Sequence, residues 1–287
     1  MITFTKLGQY GRLGNQLFQY AALKSAALRN QLDCKIPNPN KQNWHGQQCM
    51  LNNFNIEVSY LNDSDYNSLK HYISDEHVLN GTYIPILNNV SDNTDLCGFF
   101  QNTKYFEDYK KQIIYELTPK KELLEKSLLK INKFKKNRKL VSLHIRRGDQ
   151  TDGTNSYYNK YYGTGPFDTK CLVGKYIVES LSYFNDCDVL VFTGGSRSGN
   201  DIEDIRWAKT YFTDQKFIVS ETNSAMQDFV LMSLCDHNII SFASSFGWWA
   251  AYINQNPDKI VIAPQDYHLD GDHVKRDGFY PKNWKLL

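Results

Sequence analysis

Leu140-Val-Ser-Leu-His-Ile-Arg-Arg-Gly-Asp149 begins as an apolar run and ends abruptly in two arginines, a glycine and an aspartate. The part up to Ile145 fits a strand buried on both faces, and the remainder fits a turn at the end of that strand. Val189-Leu-Val-Phe192, Phe217-Ile-Val219, Ile239-Ile-Ser-Phe242 and Ile260-Val-Ile-Ala263 have the same buried-strand character. Helix signals lie between them. Asn200-Asp-Ile-Glu203 and Ser224-Ala-Met-Gln227 each resemble a capping box, the second leading into Phe229–Leu234. Strands alternating with helices predict an α/β fold whose parallel sheet is covered on both faces. Ligands of such sheets bind beyond the carboxyl ends of the strands, which is where His144–Asp149 falls.

The chain has 287 residues, 41% of them hydrophobic and 22% charged, enough to bury a core and to exclude wholesale disorder. Its 33 Lys and Arg nearly balance 31 Asp and Glu, which argues against a dedicated nucleic-acid binder, so no nucleic-acid partner is expected. The start shows neither a charged leader with an apolar stretch nor a run long enough to span a membrane, and the six cysteines lack a C-x-x-C pair. Scattered thiols suit a reducing compartment, so a cytoplasmic location is expected. The sequons at Asn62, Asn80 and Asn89 are what chance yields in an Asn-rich chain. Before Lys139 the pattern is less regular. A helix is expected over about 15–29, with Leu13, Leu17, Ala21 and Leu28 on its apolar side. The stretch 37–95 is polar and its secondary structure is not legible. Thr118-Pro119 reads as a cap and first turn for a basic helix over about 120–133. Lys135–Lys139 reads as a solvated hinge, with peripheral contact to an anionic membrane surface as the alternative. The expected domains are therefore 1–135 and 136–287, the last segment being free to pack back on the first.

Three stretches carry candidate chemistry. Arg146 and Arg147, followed by Gly148, make a cationic feature at a strand end, suited to a phosphate or diphosphate that could be neutralised without a metal. The bland reading is an Arg–Asp pair that ties the strand end to its neighbours. Integrin-type recognition of Arg147-Gly-Asp149 does not suit a strand end, and a histidine-phosphatase order would place the histidine after the arginine. Gly11-Arg-Leu-Gly-Asn-Gln16 precedes a helix, so its backbone can approach a ligand that Arg12, Asn15 and Gln16 would contact. Its glycine spacing is not that of a dinucleotide fingerprint. Ser241–Ile253 runs from a strand through small residues into an apolar helix; Ser244 and Ser245 stand at the helix start, and Trp248 and Trp249 read as core. Asp63-Ser-Asp65, Asp186-Cys-Asp188 and Asp270-Gly-Asp272 read as solvated turns, so no metal site is expected.

Taken together, Gly11–Gln16 with Phe18-Gln-Tyr-Ala21, His144–Asp149, and Ser244-Ser-Phe-Gly-Trp-Trp-Ala-Ala-Tyr252 resemble glycosyltransferase family 11, the α-1,2-fucosyltransferases. Asp204-Ile-Arg-Trp-Ala-Lys209 is a fourth match, and the motifs span nearly the whole chain in the family's order. The resemblance implies a GT-B fold of two Rossmann-like halves facing a cleft, with a parallel sheet in the carboxyl-terminal half. It implies inverting, metal-independent transfer of L-fucose from GDP-β-L-fucose to the 2-hydroxyl of a β-galactoside glycan, with no cofactor. Carried over residue by residue, it places Arg146 on the β-phosphate and Arg12 and Asn15 facing the transferred sugar. Asp149 joins these as the fourth catalytic candidate. His144, Arg147, Gly14, Gln16, Asp204, Ser244 and Ser245 form the substrate-binding set. Departures from the family pattern are Gln150 in place of a tyrosine, a long Gly- and Tyr-rich stretch over 151–169, and Thr193–Asn200 in place of a shorter acidic loop. Two alternatives stay open: transfer of another deoxyhexose from a nucleotide sugar, and a catalytically inactive sugar-nucleotide- or glycan-binding protein.

Overall fold

In the computed structural model, which describes residues 1–287 apart from 10, 42, 45–46, 78–80, 152–159, 196–200, 222–223 and 270–276, the chain divides into two units. These are Met1–Lys121 with Lys275–Lys282, and Glu122–Val274 with Asn283–Leu287. The division thus precedes the Lys121–Phe134 helix instead of following it at 135/136. The charge run is not a hinge between the units. Lys135 pairs with Asp236, and Arg138 with Asp188 and the carbonyls of Asn185 and Asp186, all within the second unit.

The first unit carries short strands: β1 (Ile2–Thr3), β2 (Cys34–Ile36), β3 (Asn43–Trp44), β4 (Gln47–Gln48), β5 (Ser59–Tyr60), β6 (His71–Ser74) and β7 (Thr94–Cys97). β3 and β4 form a separate antiparallel hairpin, while the others pair in parallel in the order β5-β2-β1-β7-β6. The Leu13–Asn30 helix follows β1. Leu13, Leu17 and Ala21 are buried as expected, but Leu28, near the helix end, is 39% exposed. Burial is not confined to a stripe, because Gln16, Gln19 and Ser25 are buried as well. Leaving a buried amide unpaired costs about 1–3 kcal/mol. Gln16 Nε2 donates to Gly11 O at 3.2 Å, its Oε1 accepts from Met50 N–H at 2.9 Å, and Gln19 Nε2 donates to Gly98 O at 2.9 Å. The Lys110–Glu116 helix is joined to this one through buried Glu116, which takes the Tyr20 hydroxyl, Gln112 Nε2 at 2.6 Å and Lys24 Nζ at 3.0 Å. Thr118 does not cap the following helix; its hydroxyl donates back to Ile114 O at 3.0 Å and closes the preceding one.

The second unit has β8 (Lys139–Arg146), β9 (Cys187–Gly194), β10 (Phe217–Val219), β11 (His237–Ile239), β12 (Val261–Ala263) and β13 (Lys285–Leu286). All pair in parallel, in the order β10-β9-β8-β11-β12-β13. β11 ends three residues short of the expected Phe242, because the chain turns at Ala243, with φ of 47°, to enter the Ser245–Ile253 helix. Successive side chains of a strand point to opposite faces. Val141, Leu143 and Ile145 accordingly pack with Tyr176 and Ile177 of the Leu172–Leu181 helix and Ala208 of the Ile202–Tyr211 helix. On the other face, Ser142 accepts from Asn238 Nδ2 at 2.7 Å, and His144 meets Phe246 and Ser244. Trp248 and Trp249 are fully buried core, Trp248 stacking on Tyr252 with centroids 4.7 Å apart. Ser224 caps the Ala225–Ser233 helix as read, accepting from Gln227 N–H at 3.2 Å; Asn200 lies outside the described residues. Among the described residues no helix is long and apolar enough to cross a membrane, and all six cysteines are free thiols.

Strand order reverses between β8 and β11 in one sheet and between β1 and β7 in the other. The crevice beyond the carboxyl ends at such a switch point is where open α/β sheets bind ligands. Arg146 ends β8 at one switch point, and Gly11–Gln16 follows β1 at the other.

Candidate functional site

At the second unit's switch point Arg146 bridges the two diverging strands. Its N–H donates to Ser241 Oγ at 2.9 Å, and its Nη1 donates to Ala243 O, both beyond β11. Nε and Nη2 donate to the Asp149 carboxylate at 3.2 and 2.8 Å. Among the described residues three of the five guanidinium N–H groups are thereby used, which leaves two that could meet a ligand. Burial opposes the charge, but Asp149 outweighs it and holds the Arg146 pKa above its ordinary value. The single Tyr162 hydroxyl proton is shared between Arg146 O and Gln150 Oε1, so Gln150 meets a tyrosine from the long 151–169 stretch. Residues 152–159 of that stretch, and 196–200 of Thr193–Asn200, lie outside the described residues.

The adjacent guanidiniums do not form one cationic patch. Arg147 emerges on the opposite face, where Nε donates to Asp204 Oδ1 at 3.0 Å and the guanidinium carbon lies 3.9 Å from the centre of the Trp207 ring. Asp204 Oδ2 accepts from Gly148 N–H at 2.9 Å, so both of its oxygens hold the Arg147–Gly148 turn. Burial raises the Asp204 pKa, and the Arg147 bond pulls against that rise. Arg147 and Asp204 therefore brace the loop behind Arg146.

His144 and Ser244 are also committed internally. Ser244 is 2% exposed and is the helix cap, its Oγ accepting from Gly247 N–H at 3.0 Å and lying 3.2 Å from His144 Nδ1. Ser245, half-buried, opens the helix itself. A Cβ on Gly247 would stand 2.7 Å from His144 Nδ1, so that glycine is what lets the imidazole lie against the helix. Burial, reinforced by the Arg146 charge, pushes the His144 pKa down to about 3. The unfolded chain returns it to about 6.5. Between these values the unfolded state binds more protons, so this contribution to stability is full above about pH 6.5 and is lost as pH falls toward 3. His144→Asn, neutral throughout, should flatten the fall of melting temperature between about pH 6.5 and 4; an unchanged slope would clear the imidazole of this role.

In the first unit the helix start has an extended Arg12 in the cap position, with no side-chain cap bond. Asn15 is therefore not a capping residue. Its Oδ1 accepts from Gln101 Nε2 at 2.8 Å, a bond across the switch point from the loop that follows β7. Gly11, at φ +99°, lies beneath it, and a Cβ there would come within 2.3 Å of Asn15 Nδ2. The Gln101 loop is itself shaped by Asp75, whose carboxylate accepts from Phe99 and Phe100 N–H at 2.7 Å each. Gly14 is buried in the helix and Gln16 is tied to Gly11 and Met50, so Arg12 and Asn15, both half-buried, are the polar side chains of the motif nearest solvent. Gln101, Asp75 and Tyr162 are site residues that sequence reasoning missed, because no local pattern marks a side chain whose partner is distant.

Of the D-x-D triplets, Asp63 and Asp65 begin a short helix, with Asp65 on Lys35, and Asp188 lies in β9 beside Arg138. Asp270 and Asp272 lie outside the described residues. Among the described residues no group of three or more His, Cys, Asp or Glu is placed to hold a metal ion.

The O-antigen biosynthesis glycosyltransferase WbnK of Escherichia coli is 28% identical over 313 residues, covering 92% of this chain and 95% of that protein. An alpha-1,2-colitosyltransferase of Escherichia coli is 27% identical over 310 residues, covering 96% and 95%. Among solved structures, the fucosyltransferase NodZ from Bradyrhizobium matches with a TM-score of 0.51 at 13% identity, over 87% of this chain and 91% of that one. POFUT1 in complex with GDP matches with a TM-score of 0.50 at 12% identity, over 91% and 97%. At such identities the likeness is one of fold, and that fold is the α/β GT-B type. The family described as Glycosyl transferase family 11 matches residues 3–287, and the chain belongs to it.

Proposed function

We propose that the chain transfers L-fucose from GDP-β-L-fucose to the 2-hydroxyl of a β-galactoside on an oligosaccharide or glycan, inverting the anomeric centre without a metal ion. The observation that carries this reading is Arg146, braced by Asp149 and Ala243 at the sheet's switch point with two N–H groups left for a diphosphate. The Ser245–Ile253 helix begins beside it, and a helix amino end favours an anion. Arg12 and Asn15 face the transferred sugar. The relatives support the donor class: POFUT1 was solved with GDP, and NodZ is a fucosyltransferase. A second donor, GDP-linked colitose, is favoured by the colitosyltransferase that shares 27% identity across 96% of this chain. Free thiols throughout suit a cytoplasmic site of action.

The test is incubation with GDP-fucose or GDP-colitose and a panel of galactosides, followed by mass and linkage analysis. The expected product is a galactoside carrying one α-1,2-linked deoxyhexose, and the preferred donor separates the two sugars. Glycan binding with no product from either donor would leave an inactive binding protein. Because fixed guanidinium charge and helix N–H groups would neutralise the leaving diphosphate, activity in excess EDTA should equal that with added Mg²⁺ or Mn²⁺. Loss in EDTA, restored by metal, would overturn the metal-free part of the proposal.

A further inference from the structure

Beside β5, the edge strand of the first sheet, lies a cavity of 600 Å³, within the roughly 300–1,000 Å³ typical of ligand clefts. Buried Phe54 forms its floor, bridged to Pro119. Asn52, Asn55, Tyr60, Tyr115 and Lys120 stand around it, all exposed. Tyr60 is 46% exposed and Tyr115 60%. Among the described residues, the side chains of Asn55, Tyr60, Tyr115 and Lys120 have no hydrogen-bond partner of their own. A tyrosine ring offers an apolar face and a polar tip, and a carboxamide offers both donor and acceptor. That set matches a sugar, which has an apolar C–H face and a rim of hydroxyls. It does not match a nucleotide, since the lining carries one carboxylate, Glu57, for its one cation, Lys120, and the polar rim does not match a lipid.

The cavity is also tied to the amino-terminal loop. Gln16, anchored to Gly11, accepts from Met50 N–H, and Met50 opens the Leu51–Asn53 turn that carries Asn52. We infer that this cavity is a carbohydrate subsite for the part of the acceptor glycan that extends away from the galactose receiving the new sugar. The inference rests on the reading of the chain as a transferase with a glycan acceptor.

The experiment compares N-acetyllactosamine with lacto-N-neotetraose, a tetrasaccharide ending in the same disaccharide. In the wild type kcat/KM should be about five- to tenfold higher for the tetrasaccharide, mainly through KM, the effect of one or two aromatic contacts. Tyr60→Ala with Tyr115→Ala should bring that ratio to about one without shifting the melting temperature, both rings being exposed. A wild-type ratio of one, or a ratio that survives the double substitution, overturns the inference. Calorimetric titration of the tetrasaccharide without donor separates this from the transferase reading. Binding that depends on the two tyrosines, in a protein that turns over no acceptor, keeps the subsite and removes the transfer; tyrosine-independent binding or none removes the subsite.

Discussion

Arg146→Lys is expected to lower kcat by about 10²–10³-fold, the range seen when one preorganised charge stabiliser is removed from a transition state. The substitution keeps the charge, so the loss would measure geometry. Arg146 takes Asp149 through Nε and Nη2, reaches Ala243 O through Nη1, and still has donors left for a diphosphate. A lysine has one ammonium at the end of a flexible stem and cannot hold all of these at once. Steady-state kinetics on a folded variant decides the matter, and near-normal turnover would place the diphosphate elsewhere. Arg147→Lys is the matched control. Its guanidinium lies on the other face against Trp207 and Asp204, so its loss should register first as stability, roughly 1–3 kcal/mol, with a smaller fall in kcat.

Arg12→Ala and Asn15→Ala should each lower kcat by about 10²-fold while the melting temperature and the donor dissociation constant change little. A loop that only started a helix would behave differently: losing a cap costs about 1 kcal/mol of stability and leaves chemistry alone. No side chain caps this helix, and Asn15 is oriented by Gln101 across the switch point. Its position is therefore maintained by a distant loop, as expected for a group aimed at a ligand. Gln101→Ala, which removes one bond to the Asn15 carboxamide and keeps the group itself, should lower kcat by less than Asn15→Ala. Kinetics, donor titration and thermal melts of the three variants test this, and full activity in both Arg12→Ala and Asn15→Ala would reduce the loop to a helix start.

Much of the second unit was legible in the chain itself. β8 and β9 contain the apolar stretches Leu140–Ile145 and Val189–Phe192, and eight consecutive residues of each strand are paired. Such apolar stretches read as buried strands, and the turn residues after Ile145 mark where the strand ends. The small residues of Ser241–Ser245 likewise announced a strand-to-helix turn. The first unit was illegible for the same reason in reverse. β1 and β5 are two residues long, and β6 and β7, four residues each, mix His, Tyr, Ser, Thr and Asp with few apolar side chains. β10, β11 and β12 are as short, but they lie in apolar stretches; in β6 and β7 polar residues break any apolar run, and tertiary packing makes them strands.

By itself the amino-acid sequence determined the α/β class, the parallel sheet, the strand end at Arg146 and the motif set of the family. Tertiary structure alone decided what the two arginines do. Alternation says that neighbours point to opposite faces, but only the packed helices set Arg147 against Trp207 and Asp204 and Arg146 against Asp149 and Ala243. It alone paired Asn15 with Gln101, 86 positions away, and supplied Tyr162 beneath Arg146. Such contacts depend on which strands lie side by side. Strand order is set by the burial of the whole sheet, and no local stretch of residues encodes it.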